Sequence, residues 1–291
     1  MRPIRHAVVL AAGLLAAALV VPLSPAGPSA SAAPPAASKP DCGNRVAKPG
    51  GGSWTCTLAD SFSGTSLDDR YWTGMDLYGS GALCVRDTPR TVSVSGGVLR
   101  LTVLPTDASV QCPEREDGTR GSYAGAWVSS YYRFSQQYGR FEARMRVTAV
   151  DGPGLHEGFW LCPDVRYGSD ADWPDSGEID IAETYSSAPD LAIPFLHYSD
   201  DAKGPVDGLN TAWDCAATRG QWHTYTLEWT ASRLEILVDG TSCLVNTAGA
   251  SSFQKRFIIA FSQVLGGGDN LYDGGVPLPA TTEVDYVKVW R

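Results

Sequence analysis

The chain has 291 residues, with 23 lysines and arginines against 32 aspartates and glutamates, and a formal net charge of −9. That balance, with no Lys/Arg block beyond the first residues, argues against a nucleic-acid partner and is easier to reconcile with a neutral polymer. The length is enough for one large single-core domain once the N-terminus is set aside.

Met1 to His6 carries Arg2 and Arg5 without an acid, and Ala7 to Val21 is an unbroken run of Ala, Val, Leu and Gly with Pro22 beyond it. Ala30-Ser31-Ala32 follows as a small-residue cleavage pattern, so residues 1–32 read as a secretory signal peptide. About fifteen apolar residues are short for a bilayer span, and no membrane anchor is expected after cleavage. Residues 33–51 read as a flexible Pro/Ala-rich lead-in and short N-terminal segment, and 52–291 as one domain. The expected product is an extracellular monomer.

All seven cysteines lie after the signal: Cys42, Cys56, Cys84, Cys112, Cys162, Cys215 and Cys243. In an exported chain without a Cys-x-x-Cys pair they read as disulfides rather than metal thiolates. The expected pairs are Cys42 with Cys56, Cys84 with Cys112 and Cys215 with Cys243. Cys162, inside Gly-Phe-Trp-Leu-Cys, is left as a buried free thiol. A thiol nucleophile is the competing reading, although neither His156 nor His197 has a diagnostic spacing to it.

The body reads as all-β. Thr91 to Val103 is two alternating stretches broken by Gly96-Gly97, a hairpin signal. Arg140 to Val147 alternates cleanly, and further strands are expected at Thr224 to Trp229, Arg233 to Val238, Arg256 to Val264 and Thr282 to Trp290. Asp239-Gly240 closes one of them with a turn. No helical periodicity lasts for twelve residues, so a two-sheet sandwich is predicted rather than an α/β barrel.

Between these strands lies Glu178-Ile179-Asp180-Ile181-Ala182-Glu183. On a strand Glu178 and Asp180 share a face, and Ile179 and Ile181 share the other. Strict alternation sends Glu183 backwards, but one extra residue at a bulge around Ile181-Ala182 returns it to the acidic face. Three like charges on one side of a strand are costly to desolvate and serve no packing purpose. A glycosidase needs such a group, whereas a metal clamp or a solvated acidic edge is the alternative.

With its flanks, Trp173-Pro174-Asp175-Ser176-Gly177-Glu178-Ile179-Asp180-Ile181-Ala182-Glu183 resembles the bulged E-x-D-x-x-E signature of glycoside hydrolase family 16, in its laminarinase-like β-glucanase branch. Tyr138-Gly139-Arg140-Phe141-Glu142-Ala143-Arg144, Phe159-Trp160-Leu161, Tyr225-Thr226-Leu227-Glu228-Trp229 and Val284-Asp285-Tyr286-Val287-Lys288-Val289-Trp290 are similar to family segments in the same order. The resemblance runs from about Trp54 to the last residue. It implies a two-sheet antiparallel jelly roll, concanavalin A-like, with a concave substrate groove. It also implies retaining endo-hydrolysis of a β-glucan, preferably at β-1,3 bonds. By position in the motif Glu178 is the nucleophile, Glu183 the acid/base and Asp180 the residue that tunes Glu178.

Substrate contacts are expected from Trp173, which the family motif places toward the substrate, and from His197 in the strand beside the acids. Trp160, Trp127 and the amide of Gln263 are further candidates for lining the groove. No catalytic cofactor is expected. The family often holds one structural Ca2+ through an aspartate that matches Asp285, although one carboxylate cannot make a calcium site alone.

The chain departs from the laminarinase pattern in four places. Leu155-His156-Glu157-Gly158 stands where a Trp-Pro is common, Thr184 replaces an asparagine, Phe261-Ser262-Gln263-Val264 replaces Leu-Asn-Leu-Ala, and Gly266 to Asn270 departs from Gly-Gly-Asn-Trp. All are expected on groove walls, which keeps a β-galactan or another β-glycan open as substrate. A lectin-like binding protein or a transglycosylase are the other readings, though a lectin has no reason to keep three convergent acids.

Overall fold

Period-two alternation builds nearly every element of the computed structural model, which describes residues 40–77, 81–199, 206–248 and 251–291. The expected signal peptide and residues 33–39 of the lead-in lie outside these. From Pro40 onward the chain forms one unit. Its first eight strands are β1 (Cys56–Asp60), β2 (Thr73–Gly74), β3 (Leu83–Val85), β4 (Val92–Ser95), β5 (Val98–Pro105), β6 (Tyr123–Ser129), β7 (Gly139–Arg146) and β8 (Leu155–Pro163). The rest are β9 (Glu178–Tyr185), β10 (Ile193–His197), β11 (His223–Trp229), β12 (Leu234–Val238), β13 (Thr241–Asn246), β14 (Phe257–Leu265) and β15 (Ala280–Trp290).

One layer runs β10-β9-β8-β14-β6, and the other runs β5-β15-β7-β11-β12-β13 with β1 and β4 added to it. β5 and β6 meet through Leu104–Ala124 and Pro105–Tyr123, so hydrogen bonding is continuous from one layer to the next. The strand pairings are antiparallel except that of β3 with β6. This is the expected two-sheet jelly-roll sandwich. Phe159, Leu161, Ile179, Ile181 and Phe261 of the first layer join Leu99, Leu101, Phe141 and Trp229 of the second in one fully buried core. Each such large side chain contributes about 1.5–3 kcal/mol before the entropy of ordering it is counted. The Gly96-Gly97 turn has φ of 60° and 76° and sets Ser95 opposite Val98, as a tight hairpin requires.

Alternation along β8 divides its side chains cleanly. Leu155, Glu157, Phe159 and Leu161 are buried, whereas His156, Trp160 and Cys162 are half-buried. Glu157 and Arg219 form a buried ion pair beneath the sheet, with Arg219 Nη1 and Nη2 donating at 2.8 and 2.7 Å. Thr184 Oγ1 donates to Glu157 at 2.7 Å and Gln263 Nε2 at 3.2 Å. Gln263 in turn accepts from Thr282 Oγ1 at 2.8 Å. Three of the departures from the laminarinase pattern, Glu157, Thr184 and Gln263, are thus one coupled network inside the sandwich rather than groove walls. Gln263 is fully buried, which corrects its expected role as a substrate contact.

Two further expectations are corrected. Cys42–Cys56 and Cys84–Cys112 are bonded, and Cys162 is free, but Cys215 and Cys243 are also free thiols. No covalent bridge joins them, although each thiol shifts the other's ionisation. Asp285 lies at an irregularity of β15, between Val284 and Tyr286, and its carboxylate accepts from Arg144 Nη1 at 2.7 Å. A guanidinium already neutralises that carboxylate and would repel a cation beside it, so Asp285 does not fit a calcium site.

Candidate active site

The acidic face depends on one irregularity. β8 pairs Phe159 with Ala182 and Trp160 with Asp180, leaving Ile181 as the extra residue of β9. The bulge returns Glu183 to the side that carries Glu178 and Asp180, while Ile179 and Ile181 stay fully buried between the layers. Gly177 precedes Glu178 with φ of 87°, and a Cβ there would lie 2.7 Å from the Ser252 carbonyl oxygen, so the entry to the strand is open to glycine alone. Across from Glu183 stands Gly158, where a Cβ would come within 2.9 Å of Ser262 Oγ and Trp160 Cδ1. Its missing side chain leaves space in front of the acid.

Trp173 is 43% exposed, and its Nε1 donates to Glu178 Oε2 at 2.7 Å. His197 is paired with Glu178 across β10 and β9, packs 5.0 Å from the Trp173 ring and puts Nε2 3.4 Å from Asp180 Oδ2. Trp127 and Trp160, 4.9 Å apart, line the same cavity of about 330 Å³ as the three acids. Of the residues expected around the acids, Trp173, His197, Trp160 and Trp127 are therefore brought together, and Gln263 is not.

His156 is the neighbour that sequence reasoning left unassigned. Its Nε2 is 2.8 Å from Glu183 Oε1. The signal was available in the alternation of β8, which places His156 on the same side as Trp160. Glu183 also borders a second hollow of about 320 Å³, lined by Tyr185, Phe195, Asp269 and the half-exposed Trp213. The Gly266 to Asn270 departure thus does reach the groove.

Burial, followed by the charges of Glu178 and Glu183, pushes the Asp180 carboxyl well above the usual range. Burial raises Glu178 as well; the Trp173 N–H opposes that rise and the charge of Glu183 adds to it. Neighbouring carboxylates resist each other's ionisation, so Glu178 and Asp180 do not release their protons independently.

Among the described residues, one group could hold a cation through three side chains: Glu178, Asp180 and His197, with ligand atoms within 4.8 Å of one another. Two carboxylates and an imidazole are too few oxygens for calcium. The same carboxylates already take hydrogen bonds or close contacts from Trp173 and His197.

A profile of the family described as glycosyl hydrolases family 16 matches residues 86–288, more than half of the chain. The endo-1,3-1,4-beta-glycanase EglC of Rhizobium meliloti is 27% identical over 249 residues, covering 81% of this chain and 50% of its own length. A glucan endo-1,3-beta-glucosidase of Cryptopygus antarcticus is 28% identical over 268 residues, covering 82% of this chain and 93% of that protein. The chain spans about half the length of EglC, and 37% and 34% of two other relatives. The solved endo-beta-1,3-glucanase of Pyrococcus furiosus superposes with a TM-score of 0.69 at 22% identity, covering 84% of this chain and 97% of that one. That last likeness is one of fold.

Proposed function

The chain belongs to glycosyl hydrolases family 16, and from that premise we propose that it is an exported, retaining endo-glycosidase that cleaves internal bonds of a β-glucan, preferably β-1,3 bonds. The observation that carries the reading is the bulged β9, which gathers Glu178, Asp180 and Glu183 on one face beside Trp173. Glu178 attacks the anomeric carbon as Glu183 gives its proton to the leaving oxygen. Glu183 then takes a proton from water as that water displaces Glu178. Asp180 stands beside Glu178 and shares its proton balance, and Trp173 directs the Glu178 carboxylate by its N–H.

Glu178, Asp180 and Glu183 border the first cavity, and Glu183 borders the second as well. The sugar that becomes attached to Glu178 therefore sits against Trp127 and Trp160, and the leaving part of the chain passes Glu183 toward Trp213. Sugar on both sides of the cleaved bond favours internal cutting. Two relatives are named for 1,3- or 1,3-1,4-linked substrates, and Glu157, Thr184 and Gln263 leave the groove surface untouched. Both points support a β-1,3-glucan. His156 and Asp269 on the groove walls favour the second reading, a β-galactan, whose axial hydroxyl needs a different donor set. Export is supported by the pattern of residues 1–32 and by two disulfides.

Reducing-sugar release from laminarin, mixed-linkage glucan, β-1,3-galactan and agarose, with products sized at the first time points, tests this. Internal cleavage of laminarin with retained anomeric configuration, lost in E178Q and E183Q, is expected. Turnover of galactan alone discards the glucan. Binding without turnover on every glycan, or full activity in E178Q, discards the mechanism.

A further inference from the structure

Glu183 meets an imidazole that is itself stacked on an aromatic ring. His156 Nε2 sits 2.8 Å from Oε1, and Tyr185 stands beside Glu183 on the same face of β9. The imidazole lies flat on the Tyr185 ring, with centroids 4.5 Å apart and planes 13° from parallel. The strand register explains the contact. His156 is paired with Tyr185, and Gly158 with Glu183, so His156 reaches Glu183 along the diagonal of the β8–β9 ladder. No side chain at Gly158 stands in the way. The His156 side chain is 27% exposed and that of Glu183 15%, which leaves both at the groove surface.

A ring stacked in this way cannot swing freely, so the nitrogen that meets Glu183 is fixed. An acid that must deliver its proton within hydrogen-bond reach of a glycosidic oxygen depends on such an anchor, because a free carboxyl group samples several rotamers. The other charged groups that line the cavity with His156 are Glu178 and Asp180 on β9, while its partner on β14 is the apolar Val264.

We propose that His156, stacked on Tyr185, is a positioning residue for Glu183 that holds the carboxyl group in the orientation for proton transfer to the leaving oxygen. This rests on the acid/base reading of Glu183. When that carboxyl group has given its proton to the oxygen leaving the anomeric carbon, the imidazole N–H donates to the new carboxylate. When water is deprotonated in the second step the proton returns to Glu183, and His156 keeps its own throughout.

The test compares H156A and H156Q on two substrates. Laminarin has a sugar leaving group that needs the proton, and a 2,4-dinitrophenyl β-laminaribioside has one that leaves without it. In H156A, kcat on laminarin is expected to fall by about 10- to 100-fold with little change in KM, the size associated with misplacing a reacting group by about 1 Å. The initial burst of dinitrophenol should keep the parent's rate. H156Q, whose amide N–H can reach the same oxygen, should recover most of the laminarin kcat. Equal losses on both substrates, an unchanged laminarin kcat, or an H156Q as impaired as H156A would overturn the proposal. E183Q is run beside them: if it still cleaves laminarin, the acid/base reading fails whatever His156 does. If E183Q loses laminarin but keeps the burst, that reading stands and the His156 variants decide the rest.

Discussion

Breaking the Glu157–Arg219 pair puts the interior under the acids to a quantitative test. Both side chains are almost wholly buried, at 1% and 2% exposure. Glu157 accepts four hydrogen bonds, two from Arg219 and one each from Thr184 and Gln263. R219M leaves a carboxylate in the core without its counter-charge, and E157Q leaves a guanidinium in the same position. Loss of one partner of a buried pair costs about 3–5 kcal/mol, because the remaining charge has lost its water and gained nothing. In a domain of this size each kcal/mol moves the midpoint by about 2–4 °C, so each single variant should melt roughly 6–20 °C below the parent. E157L/R219M removes both charges and should be clearly more stable than the sum of the single losses, a coupling that a double-mutant cycle reads directly. Thermal unfolding followed by circular dichroism is the assay. Single losses under about 1 kcal/mol, or strict additivity in the double variant, would refute the reasoning.

Asp180 and Glu178 are raised by burial and by neighbouring acids, so their protonated forms are favoured by folding. The stability this gives is fully present below the ordinary carboxylate values and lost as pH rises through the raised ones. D180N should therefore melt above the parent at pH 7 while losing activity, and a lower midpoint at pH 7 would contradict this. Because Glu178 must be ionised to attack, activity should begin to fall on acidification at a pH above the ordinary glutamate value of about 4.3; a profile flat down to pH 4 speaks against it. W173F keeps an aromatic ring but removes the N–H on Glu178, and should lower kcat by about 10- to 100-fold with little change in KM, the size of a hydrogen bond to a charged group. Unchanged kcat would remove Trp173 from the positioning of the nucleophile. Burial pushes the Cys162 thiol up to about 12, whereas the Cys215 contact holds that of Cys243 down. Iodoacetamide at pH 8 should then label Cys243 before Cys162, and the reverse order would show that the Cys162 environment has been misjudged.

Local patterns in the chain determined most of the fold. The Gly96-Gly97 break, the alternation of Arg140 to Val147 and the Asp239-Gly240 turn each became a strand or a turn at the expected place. The bulge at Ile181 was legible too, because three acids and two isoleucines in six residues admit few arrangements that keep charge out of the core. Alternation even placed Gln263 beside Phe261 on the inward face of β14, and Glu157 beside Phe159 on that of β8. What the chain alone did not reveal lies in contacts between distant segments. His156 finds Glu183 through the register of β8 on β9, and Arg219 reaches Glu157 from a loop outside both strands. Asp285 meets Arg144 where an ion was expected, and Cys215 meets Cys243 without bonding. Periodicity fixes which residues share a face within one strand. Which faces meet, and in what register, is set by the packing of the whole sandwich, so the partners of these buried and half-buried polar groups were decided only in three dimensions.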